Sequence, residues 1–271
     1  MPITVKNSAG GGVTLDSSTS SNETINLNTP VFTGNVGIGV TPETGWKSNY
    51  SAVQIGGNGA LYSNTAQAAG GSFNHSQNVY YDSSNEKYIS TDTASKYGQY
   101  GGLHVFQVAP SGSADAAISW NTAMTIDNAG IATIPNQPAL SIRRSGGQLV
   151  FNVGDSYFAT TGVTKYTNKG GITHNTSNGR FTVPVAGTYH VGFHTMSEAG
   201  ASGFYLMLNG AAFTQTYDSN ASGSGQWNNQ AATIIMTCAA NDYISIICAQ
   251  NGATKTAHAD IHSALSIHLI G

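Results

Sequence analysis

Only 8% of the 271 residues are charged, against about 25% in an ordinary soluble domain, yet 39% are hydrophobic and 9% aromatic. That apolar share excludes a chain too poor in core material to fold, and the length allows one large or two modest cores. Ten Lys and Arg against thirteen Asp and Glu give a net charge of −3, and Arg143–Arg144 is the one local basic pair, so a nucleic-acid or anionic-membrane partner is not expected.

Residues 1–32 are small and polar, with short apolar strips at Ile3–Val5, Val13–Leu15 and Ile25–Leu27. Such strips cannot form a core alone and read as an arm that orders against neighbours. The start of the chain lacks the apolar core of a secretory leader, and no stretch is long enough to span a bilayer. That pattern suggests assembly in a cytosol and release by a route other than secretion.

From residue 33 to 135, short alternating segments recur between Gly, Ser, Asn and Asp clusters, which predicts strands throughout. In NVGIGV, alternation places Val36, Ile38 and Val40 on one face, with Gly37 and Gly39 on the other. Glycine on one face allows another backbone to approach, so these strands are expected to be buried between chains. AMTIDNAGIATI predicts a hairpin around Asp127–Gly130.

Pro135–Pro138 reads as a break, and from 136 to 271 the strands lengthen and become more apolar. GRFTVPVAGTYHVGFH changes period after its Pro–Gly turn, setting Tyr189, Val191 and Phe193 on one face and His190, Gly192 and His194 on the other. With FYLMLNG, ATIIMTC, DYISIICAQ and SALSIHLIG it predicts an all-β antiparallel sandwich. Cys238 and Cys248 flank an Ala-Ala-Asn-Asp turn without a metal-type spacing, and read as buried free thiols that do not face each other.

Catalytic motifs are not found: there is no G-x-S-x-G elbow, H-E-x-x-H helix or phosphate-binding loop, so neither an enzyme nor a cofactor is expected. His258, Asp260 and His262 alternate, which in a regular strand would place them on one face in steps of about 6.5 Å, too wide for one chain to chelate easily. A three-fold axis could gather copies of one His around a metal; the alternative is ordinary exposed or interface histidines. Asp218 to Gly223 matches the start of a calcium loop, but Asn229 stands where the bidentate Glu belongs, so a polar turn is preferred. Tyr217 and Trp227 sit in TQTYDSNASGSGQWNNQ among adaptable polar side chains. With Asn220, Asn228 and Asn229 they form the candidate recognition surface; the alternative is rings folded back over the sandwich edge.

Phe181, Gly187, Tyr189 and Phe193 resemble the central signature of the C1q-like domain of the C1q/TNF superfamily, with Val191 where an aromatic is usual. FYLMLNGA, CAANDYISI and SALSIHLI resemble later landmarks of that family in the same order, whereas Val163, Asn168 and His174 depart from its upstream pattern. The resemblance implies a ten-stranded jelly-roll protomer, packed as a trimer, whose tips recognise ligands. VGIGVTPE and the later ISW and AMTIDNAGIATI resemble shaft and neck segments of bacteriophage tail and head fibres, which implies a trimeric β-shaft. Together the two resemblances imply a homotrimeric virion fibre. Residues 1–32 would contact a virion structural protein, and the C-terminal head would bind a host-surface glycan or protein receptor. The alternative kept open is a head fibre or capsid decoration with a purely structural role.

Overall fold

The computed structural model describes residues 3–6, 12–15, 32, 34–66, 69–198, 202–218, 227–249 and 255–271, and every regular element among them is a strand. Two strands near the start, β1 (Ile3–Lys6) and β2 (Gly12–Leu15), pair antiparallel. They coincide with the first two apolar strips; the third, Ile25–Leu27, lies outside the described residues.

The middle of the chain folds as one eight-stranded sheet. In chain order it contains β3 (Val36–Ile38), β4 (Tyr50–Ile55), β5 (Gly59–Asn64) and β6 (Ser72–Gln77). A small separate pair follows, β7 (Val79–Tyr81) and β8 (Glu86–Tyr88). The sheet resumes with β9 (Asp92–Tyr100), β10 (Leu103–Gly112), β11 (Asn121–Ile126) and β12 (Ala132–Thr133). Its order is β12-β11-β10-β9-β6-β5-β4-β3, and only the β3–β4 pair is parallel. The hairpin expected at Asp127–Gly130 is present: the Asp127 carboxylate accepts the Ala129 and Ile131 amides and closes the β11–β12 turn.

One face of this sheet is covered by its own chain. Ala52, Ala60 and Tyr62 pack beneath Trp46 and Tyr80, while Ala94 and Ala109 pack against Val79 and Tyr88. Small residues on the strands leave room for large rings from the covering segment, so the two layers interlock. The glycines of NVGIGV have a cause within their own chain. A Cβ at Gly37 would collide with the Val40 carbonyl and the Pro42 ring of the same chain, and Gly39 has φ +71°.

Residues 139–271 form two facing sheets. The strands are β13 (Ala139–Arg144), β14 (Gln148–Phe151), β15 (Val163–Lys169), β16 (Thr173–Asn175), β17 (Arg180–Thr182) and β18 (Gly187–Glu198). They continue with β19 (Ser202–Leu208), β20 (Ala211–Asp218), β21 (Trp227–Cys238), β22 (Tyr243–Cys248) and β23 (Lys255–Leu269). One sheet runs β15-β13-β23-β18-β21 with β14 also on β23, and the other runs β16-β17-β22-β19-β20. The long crossovers between sheets make this a jelly roll.

The period-two stretch supplies the centre of that sandwich. Tyr189, Val191 and Phe193 on β18 are buried against Leu140, Ile142, Leu265 and Ile267 of their own sheet and Phe204, Leu206, Ile244 and Ile246 of the facing one. Gly187 opens β18 because a Cβ there would meet the Leu269 side chain at 2.6 Å and the Gly271 carbonyl at 2.8 Å. His174 takes over the work of an aromatic: its ring stacks on Phe181 with centroids 4.5 Å apart and planes within 11°. Cys238 and Cys248 are free and buried, one in each sheet, as expected from their runs. Burial raises both thiol pKa values, that of Cys248 to about 11.

Candidate functional site

β18 and β21 pair in unbroken register from Gly187–Cys238 at one end to Glu198–Trp227 at the other. The chain enters the sandwich at the first end, where the Leu269 amide donates to the Pro138 carbonyl and Ile270 to Thr188. Eleven residue steps at about 3.4 Å place Trp227 roughly 37 Å along the strands from that entry. β20 ends at Asp218, β22 at Cys248 and β18 at Glu198 on this same far side, and β23 begins there at Lys255.

At this tip β23 leaves its register. Thr195 pairs with Ser263, but the next β18 residue, Met196, pairs with His258, so residues 259–262 bulge out of the ladder. Buried groups fix the bulge from below: the His258 carbonyl accepts from both the Tyr157 hydroxyl and the Thr195 hydroxyl at 2.9 Å. The Ala259 amide donates to the Gly147 carbonyl, and Asp260, at φ +62°, turns its carboxylate to within 3.3 Å of the Arg143 guanidinium.

This bulge corrects the alternation expected for His258, Asp260 and His262. Because Asp260 takes a left-handed conformation, the strand periodicity breaks and the carboxylate is drawn away to Arg143. The two histidines instead approach each other, with ring centroids 5.1 Å apart, and the Trp227 ring lies 4.1 Å from His258 at 53°. Among the described residues no group of three His, Cys, Asp or Glu side chains is placed to hold a metal.

The predicted recognition residues are thus only partly gathered. Trp227 is half-buried at the tip and faces outward with exposed Asn229, whereas Asn228 points to the opposite face of β21. Tyr217 lies in β20 opposite Gly203, at the same end of the sandwich. Asn220 lies outside the described residues, as does most of the calcium-like stretch after Asp218. His258, His262 and Ile261, which is 72% exposed, join Trp227 at the tip although no local pattern in the sequence links them to it. They come from a strand 31 residues further on for His258, and only the shared Met196 register brings them to the indole. The tip therefore offers a flat indole, two imidazoles, an amide and an exposed aliphatic side chain. Such a surface can stack on apolar faces and exchange hydrogen bonds without a buried charge.

Residues 163–270 match the family model of the C1q domain. No curated protein matches the chain. Among solved structures the chain is similar to the Eiger TNF of S. frugiperda, with TM-score 0.43 and 11% identity over 50% of this chain and 94% of that one. It is also similar to the globular domain of the zebrafish complement 1qA protein, with TM-score 0.40 and 20% identity over 50% and 98%. Murine APRIL, solved at pH 5.0, gives TM-score 0.36 and 12% identity over 49% and 99%.

Proposed function

We propose that this chain, whose residues 163–270 form a C1q/TNF-type jelly-roll domain, is a non-enzymatic homotrimeric fibre protein of a bacteriophage virion. C1q/TNF-type domains commonly trimerise and bind ligands, which supports the coarse part of this reading. The fibre part rests on the resemblance of VGIGVTPE and AMTIDNAGIATI to fibre shafts, with residues 1–32 attaching the trimer to the particle. The head binds a host-surface receptor, a glycan by preference.

The observation that carries the receptor role is the ring cluster of Trp227, His258 and His262, placed at the end of the sandwich away from the chain's entry. A fibre held at its start presents that end outward. Indole faces suit sugar C–H surfaces, while imidazole and Asn side chains exchange hydrogen bonds with hydroxyls. Individual sites of this kind are weak, and three per trimer on several fibres compensate by avidity.

Glycan-array binding by the purified chain and adsorption to host cells test the reading. Trp227→Ala and Tyr217→Ala are expected to weaken adsorption while leaving trimer mass and melting temperature nearly unchanged. An interface aromatic at a hot spot contributes about 2 kcal/mol or more per site, roughly 30-fold in affinity. If both variants adsorb normally, the tip is not the receptor site. A chain that binds no glycan and no host cell has the purely structural virion role instead.

A further inference from the structure

The middle sheet has a second face, and no part of its own chain among the described residues covers it. Val53, Leu61, His75, Tyr97, Phe106 and Met124 stand directly opposite one another in successive strands from β4 to β11. The neighbouring rows add Ile38, Ile55 and Val108 on one side and Phe73 on the other. Ile38, Ile55, Phe73, Phe106 and Val108 are 39% to 54% exposed.

These rows contain no Asp, Glu, Lys or Arg. In a soluble sheet with one wet face, that face is normally polar. The face spans β3 to β11, seven strands at about 4.8 Å spacing, and about five residues at 3.3 Å, roughly 500 Å² in projection. That is comparable with the largest apolar patch on a typical monomer, about 300–600 Å², which is often functional.

Three polar side chains at its centre are engaged with one another. The Tyr97 hydroxyl pairs with His104 Nδ1 at 2.5 Å and accepts from the Gln99 amide at 2.7 Å, and the Tyr97 ring packs on Phe106 with centroids 4.8 Å apart. Groups paired in this way lose little when water is removed. Phe73, Tyr97 and Phe106 lie on β6, β9 and β10, and Ile38, Ile55, Leu61 and Met124 on the strands to either side, so apolar side chains recur across the whole width rather than in one pocket.

We infer that this open face is buried in solution against the corresponding face of further copies of this chain. The inference rests on the trimeric reading of the head and deepens it. Residues 134–138 are all that separate β12 from the first strand of the sandwich. At about 3.5 Å per residue they reach less than about 20 Å, so trimeric heads would hold neighbouring sheets at millimolar effective concentration or above. A neutral face is also self-complementary, because like copies meet without like charges.

The test uses the full chain with Ser95→Cys, at an exposed position within this face, and Asn128→Cys, in the exposed β11–β12 turn, as control. The native thiols are buried and do not compete. Maleimide labelling and light scattering are measured on the same samples. Trimer mass with Ser95→Cys at least about tenfold slower than Asn128→Cys is the expected result. Adding Val108→Glu should abolish that protection and raise binding of a hydrophobic dye, with the trimer retained by the head. Equal labelling of the two cysteines in a trimer overturns the inference and leaves the trimeric head standing. A dimer with Ser95→Cys protected supports the inference and overturns the trimer. A monomer overturns the trimer and the inference together, whether or not Ser95→Cys is protected.

Discussion

His174 shows how one side chain can satisfy a packing position and leave a pH signature. Its ring stacks on Phe181, and Nε2 lies 2.9 Å from the Phe158 carbonyl, so that nitrogen carries the proton and donates. Burial lowers its pKa below the ordinary 6.5; His268 is lowered as well, first by burial, then by His190 and Lys169. The unfolded chain protonates both near pH 6.5, whereas the folded chain resists protonation until lower pH. The unfolded state therefore binds more protons as pH falls through 6.5, and stability present above that pH is lost below it. The melting temperature is expected to fall between pH 8 and pH 5. His174→Phe, which keeps a ring on Phe181 but cannot titrate, should flatten that fall. An unchanged slope in the variant would locate the pH dependence elsewhere.

At the scale of elements, the middle sheet depends on a buried charge pair that no local pattern announces. Glu86 on β8 accepts from the Lys96 ammonium at 2.6 and 2.7 Å, the Tyr62 hydroxyl at 2.5 Å and the Trp120 indole at 2.5 Å. It thereby fastens the β7–β8 pair and the segment before β11 to β5 and β9. The side chains of Lys96 and Glu86 are only 9% and 12% exposed. Removing one partner leaves an uncompensated charge, so Glu86→Gln should destabilise the middle sheet by about 3–5 kcal/mol in urea unfolding followed by Trp fluorescence. A loss under about 1 kcal/mol would mean that water reaches Lys96 and the pair is a surface one. The alternating segments of residues 33–135 predict strands but not this network, because the partners of Glu86 lie up to 34 residues from it in sequence and share no period. Legibility differed sharply between β18 and β23 for a related reason. Tyr189, Val191 and Phe193 follow a regular pleat, so period two located their buried face correctly. AHADIHS shows the same alternation, but the left-handed Asp260 and the displaced register at Thr195–Met196 are tertiary features, and they rearranged the tip.

At the scale of the molecule, the cores are separate. The large cluster runs from Leu140 to Ile267, while the two smaller ones lie between Trp46 and Trp120. A change of pattern at Pro135–Pro138 was readable in the sequence, because proline and polar residues there interrupt two differently patterned regions. The covered and open faces of the middle sheet were not: their strands alternate so weakly that only the pairing register assigns each side chain to a face. Buried cores of unequal size, without a shared cluster, should melt as distinct units. Calorimetry of the full chain is expected to show two transitions, the upper from the sandwich. Leu265 is fully buried between Ile142 and Phe193 in register, so Leu265→Ala removes core packing from that unit alone. The change should destabilise it by about 2–5 kcal/mol and lower the upper transition by on the order of 10 °C, while the lower one stays in place. Movement of both transitions together, or a single transition whose calorimetric and van't Hoff enthalpies agree, would show that the sheets unfold as one cooperative unit. In that case the short segment 134–138 transmits stability as well as proximity.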